Sequence, residues 1–148
     1  MPPFKIGTLG EVAIRCINMH AMVAFYTDTI GLTVLSGSVD EGIVFFKLSD
    51  GFNGHTTILA LFAYDRADQR AVHPQSDAPP ISGGASTLHH FALSMNSSEQ
   101  DKAIAWFEST GQKYKIETFS WIGWRGVFLE DPDGNTVELV SKNASISP

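Results

Sequence analysis

The sequence predicts an α+β fold in which two equivalent β-α-β-β-β modules share one sheet within a single domain. Three observations predict it. The chain of 148 residues suits one domain with a core of its own. The same order of apolar patterns, strand then helix then three strands, occurs twice along it. Between the two copies, residues 64–87 (YDRADQRAVHPQSDAPPISGGAST) lose all periodicity and are rich in polar residues, Pro and Gly, the composition of a linker or long surface loop. The modules cover about 9–64 and 88–142, with 65–87 as the linker.

In the first module, 11–16 (EVAIRC) reads as a strand and 19–30 (MHAMVAFYTDTI) as a helix, with Met19, Met22, Val23, Tyr26 and Ile30 near helical spacing. Asn18 supplies a side-chain oxygen for the helix start and Gly31 a stop. Strands follow at 32–36, 42–48 and 56–62, with Gly37 and residues 50–54 as turns. In the second module, 88–95 (LHHFALSM) is a strand and 98–110 a helix whose apolar side carries Ala103, Trp106 and Phe107. Ser97 and Gln100 have the spacing of a capping box, and Gly111 ends the helix. Strands at 113–119, 126–129 and 136–140 complete the module.

The repeat is visible in the residues as well as in the pattern. EVAI (11–14) matches HFAL (90–93), Phe25 and Tyr26 match Trp106 and Phe107, GIVFF (42–46) matches GVFLE (126–130), and LALF (59–62) matches VELV (137–140). The matches keep the same order in both halves. The last of them sets Ala60 opposite Glu138.

The strand pair at 126–140, GVFLEDPDGNTVELV, is a hairpin in which each part has a physical role. Two apolar runs flank Asp131, Pro132, Asp133, Gly134 and Asn135, where Pro presets φ, Asp bonds its own backbone, and Gly and Asn tolerate the left-handed region. In the returning strand Val137 and Leu139 point to one face, and Thr136, Glu138 and Val140 to the other. Glu138 is thus a carboxylate in mid-strand. Such a residue usually faces solvent; where it is buried it needs a partner, and a metal ion is one.

With 43% hydrophobic and 18% charged residues, the composition is that of a soluble globular protein. No apolar run reaches bilayer length, so no membrane span is expected. The N-terminal MPPFKIGTLGE lacks the basic, apolar and small-residue order of a secretion signal, and the single cysteine, Cys16, cannot form an internal disulfide. Both point to the cytoplasm. A net charge of −6, with no Lys/Arg cluster to offset it, argues against nucleic acid as a partner.

The motifs EDPDGNTVEL (130–139), HFALSM (90–95), and VAIRC (12–16) with AFYTDTIGL (24–32) resemble the vicinal oxygen chelate superfamily, which includes glyoxalase I, extradiol dioxygenases and the metal-free bleomycin-resistance proteins. The resemblance covers about residues 9–142. It implies that the two modules form a curled eight-stranded mixed sheet with a central cup, which binds one divalent metal ion through ligands on the first and last strand of each module. Carried over position by position, the metal ligands fall on Glu11, where many relatives have His, and on His90 and Glu138. The fourth position falls on Ala60, which cannot ligate. That departs from the four-ligand pattern and resembles relatives that use three. Glu138 is also the candidate catalytic residue.

Strand alternation agrees with this set: Glu11, Ala13 and Arg15 share one face, His90, Ala92 and Ser94 another, and Glu138 lies with Thr136 and Val140. One imidazole and two carboxylates would leave coordination positions open and suit Fe, Mn or Mg, with Zn, Co and Ni also compatible. His89 points away from His90, and His20, His55 and His73 have no spacing that suggests a site. Arg15 either orients an anionic substrate or neutralises Glu11. Phe62, Trp121 and Trp124 belong to an aromatic set, with Phe45, Phe46, Phe119 and Phe128, that can line a pocket or fill a core. The implied function is a metal-dependent enzyme acting on a small molecule with vicinal oxygens, of dioxygenase, lyase or isomerase type. The alternative is a metal-free small-molecule binding or drug-sequestering protein of the bleomycin-resistance type, which Ala60 and Glu11 favour. Exposed apolar strand edges and the frequency of two-fold pairs point to a homodimer.

Overall fold

The computed structural model describes residue 3 and residues 7–65, 90–121, 123–143 and 145–146. Their order is β1 (Glu11–Cys16), α1 (Met19–Ala24) running into a π-helical turn (Phe25–Thr29), β2 (Thr33–Ser38), β3 (Ile43–Phe52), β4 (His55–Ala63), β5 (Phe91–Ser94), α2 (Ser97–Thr110), β6 (Lys115–Phe119), β7 (Trp124–Glu130) and β8 (Thr136–Lys142). The β-α-β-β-β order is present twice. The eight strands of the described residues form two four-stranded sheets, ordered β1-β4-β3-β2 and β5-β8-β7-β6. Both sheets are mixed: β1 runs parallel to β4 and β5 parallel to β8, while the remaining neighbours are antiparallel. The chain divides into two compact units, Met1–Pro80 and Ile81–Pro148. Residues 88–89 of the expected fifth strand, His73, and all of the 65–87 linker except Asp65 lie outside the described residues.

In the first unit the Asn18 side chain accepts from the Ala21 N–H at 3.0 Å, as expected of an N-cap. The helix does not stay α to its end. From Phe25 it widens by a residue, with Ile30 N–H bonded to Phe25 O and the Thr27 hydroxyl donating back to Val23 O at 2.8 Å. Gly31, at φ 86°, then lets Leu32 N–H reach Tyr26 O. The turn expected over 50–54 is tighter than that, because β3 continues through Phe52. Asn53 and Gly54, at φ 49° and 82°, make the reversal, both in the left-handed region that a two-residue hairpin requires. Ile14 and Cys16 of β1, Val44 and Phe46 of β3, and Leu59 and Leu61 of β4 are buried with Met22 and Tyr26 of the helical segment. The Tyr26 and Phe46 rings lie 6.0 Å apart.

In the second unit α2 starts one residue earlier than its periodicity suggests, with Asn96 at the cap, and no capping box forms. Gln100 is instead fully buried and ties the helix to the sheet. Its Nε2 donates to Arg125 O on β7 and to Leu139 O on β8, each at 2.8 Å, and its Oε1 accepts from Ser141 Oγ at 2.8 Å and from Arg125 Nε. All four hydrogen-bonding positions of the amide are used, which is what makes its burial tolerable. Phe107 is buried as expected, whereas Trp106 is 51% exposed and does not belong to the core. Val127, Leu129, Val137 and Leu139 supply the sheet's side of that core.

The β7–β8 connection is held by Asp131, which is buried. Its Oδ1 accepts from the backbone N–H of Asp133 and Asn135 at 3.0 and 2.9 Å, and both of its carboxylate oxygens meet Asn135 Nδ2. Gly134, at φ 85°, donates its N–H to Asp131 O to close the turn.

Two outcomes follow for stability. Replacing Gln100 with Ala removes four hydrogen bonds from a site closed to water, and urea titration should show a loss of about 3 kcal/mol. Replacing the exposed neighbour Ser98 with Ala should change the midpoint little. Replacing Asp131 with Ala should cost about 2 kcal/mol by the same measurement, because the turn's N–H groups lose a charged acceptor.

Candidate functional site

The pairing of β8 with its neighbours places Glu138 opposite Ala92 on β5 and Phe128 on β7. His90 is two residues before Ala92 and so shares its face. The two candidate ligands of this unit therefore meet: His90 Nε2 lies 3.3 Å from Glu138 Oε2. Glu138 is 6% exposed, which excludes the solvated outer face usual for a strand glutamate. The His90 side chain is half-buried and stands over the edge of the Phe128 ring, with centroids 6.0 Å apart.

The same alternation along β7 brings Trp124, Gly126 and Phe128 to the Glu138 face, and Phe119 of β6 pairs with Trp124. Phe119 and Phe128 pack edge to face at 6.3 Å. The result is a buried carboxylate and an imidazole beside an aromatic wall of Phe119, Phe128 and Trp124. Trp124 begins β7 rather than lying in a loop and is 41% exposed, while Trp121 precedes the strand and is 74% exposed. Both are open to solvent. Gly126, which sequence reasoning did not single out, lies directly under the Glu138 carboxylate: a Cβ there would collide with Oε1 and come within 3.2 Å of Cδ.

In the first unit, Glu11, Ala13 and Arg15 share an exposed face of β1, as alternation predicts. Ala13 pairs with Ala60, and Arg15 with Phe62, whose ring packs edge to face on Phe45 at 6.2 Å. Glu11 thus holds, relative to Ala60, the register position that His90 holds relative to Glu138. The repeat is confirmed at these strands and corrected at another. Phe45 opposes Ala60 and Phe128 opposes Glu138, so Ile43, not Gly42, is the counterpart of Gly126. The alignment of GIVFF with GVFLE is one residue out of register. Short apolar strings slide past one another without a penalty in the sequence, whereas the ladder allows one register.

Within the second unit His90 and Glu138 come together as a pair, and among the described residues no group of three His, Cys, Asp or Glu side chains forms. A separate open groove of about 730 Å³ lies between the end of α2 and β6, lined in part by Phe107, Glu108, Tyr114 and Ile116. There Tyr114 Oη donates to Glu108 Oε1 at 2.5 Å, and that bond raises the phenol above the ordinary tyrosine range. No helix among the described residues is long and apolar enough to cross a membrane.

The sequence matches a family model described as the Glyoxalase/Bleomycin resistance protein/Dioxygenase superfamily over residues 8–139. The uncharacterized protein YwkD of Bacillus subtilis (strain 168) is 27% identical over 135 residues, 90% of this chain and 96% of the relative. Among solved structures, lactoylglutathione lyase from Agrobacterium tumefaciens is similar at TM-score 0.66 and 27% identity, covering 95% of this chain and 96% of that one. A glyoxalase/dioxygenase from Nostoc punctiforme, at TM-score 0.65 and 20% identity over 96% and 95% of the two chains, shares the fold. With the family model spanning most of its length and both β-α-β-β-β modules in place, the chain belongs to the glyoxalase/bleomycin resistance protein/dioxygenase superfamily.

Proposed function

We propose that the protein is a divalent-metal-dependent enzyme acting on a small molecule with vicinal oxygens, by dioxygenase, lyase or isomerase chemistry. Its ligands are His90 and Glu138, with Glu11 as a third on the sequence argument alone. One observation carries the proposal: a carboxylate 6% exposed in mid-strand, with an imidazole nitrogen 3.3 Å from one of its oxygens. Two adjacent ligands about 2.1 Å from one cation lie about 3.0–3.4 Å apart, so this spacing suits a shared ion. The donor set suits Fe, Mn, Mg, Zn, Co or Ni.

Bound there, such an ion would polarise the vicinal oxygens and stabilise enediolate- or catecholate-like charge. The chain's own residues do the rest. Glu138 is the candidate catalytic carboxylate, which would take a proton from substrate. Phe119, Phe128 and Trp124 offer an apolar wall that excludes water from one side of the pair, and Trp121 is a further contact. Arg15 and Phe62 are proposed as substrate contacts of the first module, Arg15 for an anionic group. The likeness to lactoylglutathione lyase at 27% identity supports the lyase or isomerase end of this range.

A metal-free binding or sequestering protein is the second reading. Ala60, buried where a fourth ligand would stand, favours it. The two readings separate on metal content. Protein purified without chelator should hold near one divalent ion per chain, and added metal at a hundred times its Kd should stabilise it by about 2.7 kcal/mol in thermal melts. Glu138→Gln and Glu11→Gln should each lower the metal content sharply, while His20→Ala should leave it unchanged. Elemental analysis that finds no Fe, Mn, Mg, Zn, Co or Ni after reconstitution overturns the enzyme reading and leaves a binding protein whose aromatic ligands quench Trp124 fluorescence.

We also propose a cytoplasmic homodimer. The exposed apolar residues Val34 and Leu35 on edge strand β2 support the dimer, and a sequence with a single cysteine, Cys16, supports the compartment. Sedimentation at micromolar concentration should give twice the chain mass of 16.1 kDa, and a single-chain mass counts against it.

A further inference from the structure

Gly126 stands in the middle of β7, in the ladder opposite Val140, without the positive φ that marks eight other glycines of the described residues. Its backbone therefore does not require glycine. Its surroundings do. A methyl group at 126 would run into Glu138 Oε1, approach Glu138 Cδ to 3.2 Å and Phe128 Cε2 to 2.8 Å. Glu138 pairs with Phe128, one step along the same face, so its side chain leans diagonally across β7 and its carboxylate occupies the volume a side chain at 126 would fill.

The first module shows the converse arrangement. Ile43 stands at the register position of Gly126, and Ala60 at that of Glu138. Where the last strand carries alanine its neighbour carries a bulky residue; where it carries glutamate the neighbour carries none.

We infer that Gly126 is a positioning residue, whose missing side chain forms the seat that holds the Glu138 carboxylate over β7 and against His90. The inference concerns the shape of the carboxylate and stands whether or not a metal binds; its consequence for metal affinity rests on the ligand assignment proposed above.

A mutant cycle read by urea unfolding tests it. Gly126→Ala in the wild-type background should raise the unfolding equilibrium constant about tenfold, as overpacking does. Glu138→Gln has the same shape, so Gly126→Ala should cost as much in that background. Glu138→Ala clears the seat, and there Gly126→Ala should cost at most a third as much or should stabilise. Equal costs in the wild-type and Glu138→Ala backgrounds would assign the need for glycine to the Phe128 ring or the strand itself and overturn the inference. Gly126→Ala should also weaken Mn(II) or Ni(II) binding, read by titration calorimetry on folded protein, at least tenfold. Unchanged affinity in a protein that does bind metal overturns the positioning role. Failure of wild-type protein to bind either ion counts against the ligand assignment and leaves the cycle to decide the seat.

Discussion

A carboxylate in the middle of a strand, sealed from water, is tolerated only with a partner, and the arrangement of the second module follows from that constraint. Glu138 has Val137 and Leu139 on either side, both buried against the face that carries α2. Its own face cannot be filled with aliphatic groups in the same way. It is lined instead by His90, which offers a nitrogen, by Phe128, which offers an apolar edge, and by Gly126, which offers room. Removing any one of these leaves the charge unpaired, the imidazole unsupported or the carboxylate displaced.

The scaffold beneath this face is correspondingly rigid. Gln100 joins α2 to both β7 and β8 through one fully bonded amide, and Arg125, whose carbonyl it holds, reaches on to Asp101 and Ser97. Asp131 fixes the turn that sets the register between β7 and β8. Register decides what this face presents, because a slip of one residue would turn Glu138 toward the helix and Leu139 toward His90. Among the described residues of this unit the buried polar side chains are Gln100, Asp131, Glu138 and Ser141, and each bears on where β8 lies or on what it presents.

The two modules show how one supersecondary unit can be kept as a frame and changed as a site. Their ladders superpose position by position, Ala13–Ala60–Phe45 against Ala92–Glu138–Phe128. The difference lies in volume and charge: Ile43 with Ala60 in one, Gly126 with Glu138 in the other. The first pair is wholly apolar, whereas the second includes a carboxylate that must be satisfied by a neighbour. A fold that tolerates such exchanges at a few lining positions can host many activities, which is why site residues and not architecture bear the functional argument.

Much of this was legible in the residues. The two modules, the Asn18 cap, the Gly31 and Gly111 stops, the Asp131–Asn135 turn, and the parity of His90 with Ala92 and of Glu138 with Thr136 within their own strands all follow from local rules, because period, capping and turn chemistry act over a few residues. Other features were not. Gln100 has capping-box spacing, yet its amide is claimed by carbonyls 25 and 39 residues away. Trp106 has core periodicity and stays exposed. The GIVFF match slipped by one, and Gly126 looked like any strand glycine. By itself the sequence determined which elements form, in what order, and which side chains share a face of each strand. Only the tertiary structure decided that Glu138 is buried against an imidazole over a glycine, because burial and pairing depend on which distant strands the ladder brings alongside, and hydrogen-bond register carries no signature in local composition.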